Sequence, residues 1–552
     1  MKNPLLQTLL FSLVLFSLNT FAHIGSPGVL VQQQTGKYQL LVSIEPPDVV
    51  PGTAKITVFV ERGSPNTILA RPIFFLSGDE GAPTHDPLLP VAGQPGQFSG
   101  IVWMMSSGSS SVELQLDGPD GSAKTIIPVV AVSTAQRPLP AETGWILAGL
   151  GLLLVVLMIT VVGSSVSDGT LAPGQPKPKT LGRKRAIGMS MAGVVLILIL
   201  SGWRFWWTSW ADNYQNNQLY RALSVETKVV ARPGATPALV MRLDTGSSGR
   251  GYRRRPLSFI LPDHGKLMHV FLVRTPGLDA FAHLHPMRQD TATYQTNLPN
   301  LPAGKYLVYA DVVYRSGFAE TMTDTLDIPA FAAKTPAKLA DADDSYQTAN
   351  AIGKQANSLT TLRLDAAMAS CGKPGASVPL GDGSVMVWTD KPEPVLEAAK
   401  PYVLKFAVAD AAGKPAALEP YLGMGGHAVI VREDGSVYVH LHPVGTASMA
   451  AETALVSRIA DTSRTFKYPA PAPFRDSIDQ YVAQLRELPE AEKNKFLLAQ
   501  MPPMSHDIDV PNMVEFPYSF PRAGQYRMWV QVKRDGRILT GVFDVTVSEP
   551  SL

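Results

Sequence analysis

Two stretches of this chain are copies of one another, so whatever fold one adopts the other must share. Residues 264–286 read HGKLMHVFLVRTPGLDAFAHLHP, and residues 424–443 read MGGHAVIVREDGSVYVHLHP. A second matching block follows each: Ala303-Gly304-Lys305-Tyr306 in the first copy and Ala523-Gly524-Gln525-Tyr526 in the second. The HLHP blocks are 157 residues apart and the AG-x-Y blocks 220, so the second copy carries 220 − 157 = 63 extra residues, placed within 444–515. Repetition on this scale marks a duplicated supersecondary unit.

Each copy reads as a β-hairpin. In the second, apolar runs flank Glu433-Asp434-Gly435-Ser436, and Asp-Gly at the centre is a hairpin turn signal. Counting outwards from Asp434 and Gly435 sets His427 opposite His442 and Val429 opposite His440. Side chains alternate along a strand, so His427, His440 and His442 share one face. In the first copy, pairing Thr275 with Asp279 sets His269 opposite His285 and Phe271 opposite His283. That places His269, His283 and His285 on one face. Eight of the ten histidines fall in the two copies: His264, His269, His283 and His285, then His427, His440, His442 and His506.

Three imidazoles on one sheet face suit copper, zinc or nickel, and neighbouring thioethers (Met268, Met287, Met424, Met449) tilt the choice towards copper, with zinc as the other candidate. Met501, Met504, His506 and Met513 form a further soft-ligand cluster in the insertion. The same residues also fit a bland reading, in which each ring donates to a carbonyl and caps a core beside Phe271, Val273, Phe281, Val429, Val431 and Tyr438. Methionine is also a common gap-filler, and the single cysteine, Cys371, fits a small buried residue.

The rest of the chain supplies the setting. Residues 1–22 have the charged start, apolar core and small residues of a secretory signal peptide, which would leave His23 first in the mature chain. An N-terminal histidine offers both amine and ring to one metal, and His85 is the other histidine of that domain. Two later stretches, 144–163 and 186–207, are long and apolar enough to span a membrane. The loop 164–185 between them holds Lys177, Lys179, Arg183, Lys184 and Arg185 against Asp168, which places it in the cytoplasm. Trp203, Trp206, Trp207 and Trp210 would form the outer aromatic belt. A net charge of +2 gives no pull towards nucleic acid.

The expected fold is therefore mainly β: three exported immunoglobulin-like or cupredoxin-like sandwiches, two transmembrane helices and a small helical insertion. The first sandwich occupies 23–140, the second 211–335 and the third 358–552, with 336–357 as a linker rich in Ala, Lys and Asp. The insertion reads as a helical hairpin over 476–487 and 490–499, broken at Pro489.

Ala22 to Pro27 (AHIGSP) and Phe281 to Pro286 (FAHLHP), with two spans between them, resemble a family of bacterial two-span membrane proteins. The first domain is similar to exported modules of the YtkA and FixH type, and distantly to copper-resistance C-type periplasmic carriers. The resemblance implies an architecture and a copper or oxidase-assembly context, with no activity attached. Functionally the expectation is a membrane-anchored periplasmic metal-binding protein that buffers copper or passes it to a periplasmic partner such as a metal-receiving complex. Its ligands would be His269, His283, His285, His427, His440 and His442, with Met424, His506 and His23. The alternative is an interaction module for a membrane complex, its histidines structural. No Gly-x-Ser-x-Gly, His-Glu-x-x-His or P-loop pattern points to an enzyme.

Overall fold

The computed structural model describes residues 23–24, 28–135, 139–172, 174–176, 178–231, 236–244, 256–330, 339–352, 377–389, 395–462, 466–500 and 512–550. The signal segment, Cys371, Met501, Met504 and His506 lie outside them. The described chain is mainly β and separates into two compact units.

The smaller unit, residues 133–220, is a helical hairpin. Helices α1 (Ala141–Ser165) and α2 (Lys179–Asn213) are both long and apolar enough to cross a membrane. Each runs beyond the apolar stretch that reveals it in the sequence, α1 by two or three residues at either end and α2 into a basic flank before it and a Trp-containing one after it. At the loop end the helices touch: a Cβ on Gly163 would meet Met189, and one on Gly188 would meet Val166. Small residues permit such close approach.

The larger unit holds three sandwich-like bodies. In residues 29–131 eight strands follow one path, and their alternating apolar residues (Leu40, Val42, Ile56, Val58, Val112 and Leu114 among them) fill a core. Each repeat that follows has a four-stranded sheet and a six-stranded one, the sixth strand of the second repeat's larger sheet being supplied by His23–Ile24. The centre of the first six-stranded sheet is β1 (His269–Arg274), β2 (Ala280–Leu284) and β3 (Gly304–Tyr314). The centre of the second is β4 (His427–Arg432), β5 (Val437–Leu441) and β6 (Gly524–Arg534). Phe271 pairs with His283 and Val429 with His440, the registers counted outward from the two turns. The AG-x-Y blocks open β3 and β6, which lie alongside β1 and β4.

The two repeats pack through the histidine-bearing faces of these sheets. Phe271, Val273, Phe281 and Tyr309 of the first meet Val429, Val431, Tyr438 and Trp529 of the second in one apolar cluster. Phe281 stacks on Trp529 with centroids 4.8 Å apart, and Tyr309 on Tyr438 at 4.1 Å. These pairs are equivalents under exchange of the repeats: Phe281 and Tyr438 each stand two residues before an HLHP block, and Tyr309 and Trp529 face Phe271 and Val429. Aromatic pairs of this kind add roughly 0.5–1.5 kcal/mol each beyond the area they bury.

The described residues of the insertion form three helices: α3 (Met449–Ala460), α4 (Pro471–Glu487) and α5 (Glu490–Gln500). The last two form the expected hairpin. The first, capped by Ser448 Oγ accepting from the Ala451 amide, has no counterpart in the sequence expectation. The supposed linker also departs from expectation. Its residues Ser345–Thr348 form a strand beside β2, and the turn before them is buried against His285.

Candidate metal centre

Seven histidines meet in the space between the two sheets, all of them enclosed. His269, His283 and His285 bring one nitrogen each within 4.8 Å of one another. His264, His427 and His442 do the same. The first group has the expected membership. The second differs: His264, from the turn before β1, stands where His440 was expected. The reason is the packing of the repeats, which carries a turn of the first across the face of the second. His440 lies between the groups, its ring 4.6 Å from His442, 5.3 Å from His269 and 5.4 Å from His427.

The hydrogen bonds around the first triad decide which nitrogens face inward. The Asp344 carboxylate accepts from His285 Nδ1 at 3.0 Å, which leaves Nε2 buried and without a partner among the described residues. Gln531 spends its amide nitrogen on Ser345, so its Oε1 accepts from His283 Nδ1 at 2.9 Å. Tyr421 gives its only proton to the Asp343 carbonyl, so its oxygen too can only accept from that Nδ1. The Asp263 carbonyl is 3.2 Å from His269 Nε2 and, being a carbonyl, can only accept. Each ring thus carries its one proton on the outward nitrogen. His269 Nδ1 and His283 Nε2, 3.2 Å apart, then face each other as two lone pairs. Such a contact is repulsive unless a proton or a metal ion sits at it. Burial drives the pKa of both rings well below the ordinary histidine value, which disfavours the proton.

The second triad follows the same plan at two of its three rings. His442 Nδ1 donates to the Ala447 carbonyl at 3.1 Å, and the His264 ring donates to the Leu422 carbonyl. Nε2 of both is buried and without a hydrogen-bond partner among the described residues, that of His264 lying 3.7 Å from the Asp263 carboxylate, and the same holds for both ring nitrogens of His427. Burial lowers the pKa of His264, of His427 and of His442, the last to about 4. Neutral rings with the outer nitrogen held by a carbonyl or carboxylate are what metal ligation requires. Nitrogens sharing a tetrahedral ion at about 2.0–2.1 Å stand roughly 3.3 Å apart, so small ring movements close either triad on an ion.

Acids and lysines surround this chamber. Asp311 faces His440 Nδ1 at 3.4 Å and accepts from Tyr438 and Thr321; burial pushes its carboxyl up to about 6. Asp343 lies under Lys266, Lys493 and Lys533, and although burial opposes ionisation, Lys266 and Lys493 hold it below the usual carboxylate range. The network ties the first repeat, the second and α5 together beside the Asp344–His285 pair.

The remaining expected ligands go elsewhere. Met424 packs with Val444 and Met449 in an apolar cluster. The backbone of His23 pairs with Val437 at the edge of the second repeat's sheet, and its side chain is outside the described residues. His85 contacts Glu113, which also binds Arg71 and Lys124, in the first sandwich. His264, Asp344, Gln531 and Tyr421 are absent from the sequence-derived ligand set. For His264 a signal existed: it is one of the eight clustered histidines, five residues before His269.

Comparisons with known proteins add little to this geometry. Residues 380–470 match a domain of unknown function, DUF8832. No curated protein matches the chain. A tetra-tandem repeat from the extending region of a large adhesion protein is 8% identical, with 91% of this chain and 72% of that one covered and a TM-score of 0.14. A Salmonella alpha-2-macroglobulin mutant is also 8% identical, over 95% of this chain and 21% of that one, with a TM-score of 0.13. For the Parabacteroides merdae beta-glucuronidase the values are 6%, 92%, 78% and 0.13.

Proposed function

We propose that this is a membrane-anchored protein that holds copper between its two repeats, outside the cytoplasm, and buffers it or passes it on. The carrying observation is the 3.2 Å approach of His269 Nδ1 to His283 Nε2 while the outer nitrogens of both rings are committed to acceptors. Support for copper comes from the donor set. The inward groups are neutral imidazoles, a set suited to copper or zinc. Bringing a singly charged ion into an enclosed chamber costs less desolvation than bringing a doubly charged one, which favours Cu(I). Support for the location comes from the two apolar helices and the basic loop between them.

The test is a titration of the detergent-purified chain with Cu(I), Cu(II) and Zn(II), beside a His283→Ala, His442→Ala double variant. Binding of about two equivalents, one per triad, lost in the double variant, is the expected result. Weak binding that the double variant leaves unchanged would overturn the proposal.

A further inference from the structure

Beside the histidine chamber lies a cavity of about 470 Å³, within the size range of small-molecule sites. One face of α3 forms its floor, with Thr453, Ser457 and Asp461 at helical spacing, and Phe75, Phe466 and Tyr481 supply aromatic walls. His264, a member of the second triad, is also on its lining.

Two arginines reach this cavity, and they differ in kind. Arg458 is fully committed: it donates to the carbonyls of Phe75, Leu76 and Asp461 and stands 3.8 Å from the Asp461 carboxylate. Asp263, the other acid on the lining, is likewise engaged, accepting from Ser448 Oγ and the Ala450 amide. Arg315 is different. Its guanidinium lies 4.9 Å from the Phe474 ring centroid and 5.7 Å from that of Phe466, and no carboxylate among the described residues pairs with it. Its Nε is enclosed and has no hydrogen-bond partner among the described residues. A half-buried guanidinium on the cavity wall, flanked by aromatic rings and with no carboxylate partner among the described residues, favours an anionic ligand.

We propose that this cavity binds a small organic carboxylate, its anionic end on Arg315 and its apolar body against the aromatic walls, next to the His264 side of the metal centre. The anion site depends on the cavity and Arg315 alone. Its relevance to metal exchange, as the place where a carboxylate chelator presents or removes the ion, rests on the copper reading above.

Benzoate is the probe for the first part, because it has the carboxylate and the ring but chelates poorly. Calorimetric titration of the metal-free, detergent-purified chain should show benzoate binding, and benzyl alcohol should bind at least tenfold more weakly. Arg315→Gln should weaken benzoate about ten- to a hundredfold, the range for a charge-assisted hydrogen bond. Thr453→Trp, which places bulk in the cavity from the α3 side, should abolish binding while the circular dichroism spectrum stays that of the wild type. No benzoate binding, or binding that both variants leave unchanged, overturns the proposal whether or not metal binds. Picolinate, a chelating carboxylate, tests the second part. In copper-loaded protein it should remove metal faster than an equally strong chelator lacking a carboxylate, and Arg315→Gln should cancel the difference. Equal removal rates in the wild type would refute the exchange role and leave the copper reading intact.

Discussion

Replacing His427 with leucine should make the metal-free protein more stable, a result that separates a ligand from a structural histidine. The ring is fully buried, and neither nitrogen has a hydrogen-bond partner among the described residues. A neutral imidazole has one donor and one acceptor, and an unsatisfied buried polar group costs about 1–3 kcal/mol. Leucine has similar bulk and no polar atoms, and swaps that conserve volume typically cost under about 1.5 kcal/mol. The net gain is then on the order of 1–2 kcal/mol, which raises the melting midpoint by roughly 2–8 °C for a domain of this size. The assay is thermal unfolding of His427→Leu and wild type, each with a strong chelator and with saturating Cu(I). Wild type should gain stability from copper and the variant much less, so the order of the two midpoints reverses between the conditions. A variant less stable than wild type under chelation, together with no effect of copper on wild type, would show that His427 serves the core and would refute the reasoning.

Other perturbations test separate parts of the structure. Asp344→Asn keeps the shape beside His285 but weakens the acceptor at Nδ1; copper affinity measured by chelator competition should fall about 10–100-fold, the usual cost of losing such a partner. Trp529→Ala removes the ring stacked on Phe281 and should cost about 3–5 kcal/mol in chemical denaturation; it should also lower metal stoichiometry, because the stack joins the two repeats, and full stoichiometry at that loss of stability would argue that they bind independently. Glu452 on α3 is buried, and burial raises its carboxyl from 4.5 to about 7. The folded state therefore holds the proton more tightly than the unfolded one: its contribution is complete below about pH 4.5 and fades as pH rises to about 7, a loss of at most about 3 kcal/mol. Glu452→Gln should flatten that slope and be the more stable protein at pH 8; parallel pH profiles for the two would contradict it.

The hairpins of the centre were readable from the chain because strand alternation and the Asp434-Gly435 turn fix which side chains share a face. The meeting of the two hairpins was not, although a trace of it is present. HVFLVR, AFAHL and HAVIVR are nearly continuous apolar runs, the pattern of strands buried on both faces rather than one. A histidine face left open to solvent would have alternated with an apolar one. Asp344 was hidden for a different reason: its neighbours Ala, Asp and Lys have the composition of a linker, and only the pairing of Ser345–Thr348 with β2 gives that stretch a structural role. The methionines misled because thioethers near a histidine motif suit both a soft metal and an apolar core, and for Met424 the core prevails.

His264 shows what duplication adds and what it leaves behind. It occupies the same place in its repeat as Leu422 does in the other, five residues before the first histidine of the hairpin, and both residues sit in the left-handed region, at φ 52° and 53°. The turns superpose in character: Asp263 and Lys266 exchange backbone hydrogen bonds in one, Tyr421 and Met424 in the other. With the backbone matched, the side chains have diverged. The first repeat contributes a fourth imidazole, which crosses to His427 and His442. The second contributes leucine, while its neighbour Tyr421 turns its hydroxyl to His283. The first triad is consequently built within one repeat and braced by the other, whereas the second has a ligand from each. A second repeat folded alone would retain His427 and His442 but lack the third nitrogen, so the packing of the repeats is itself part of that site.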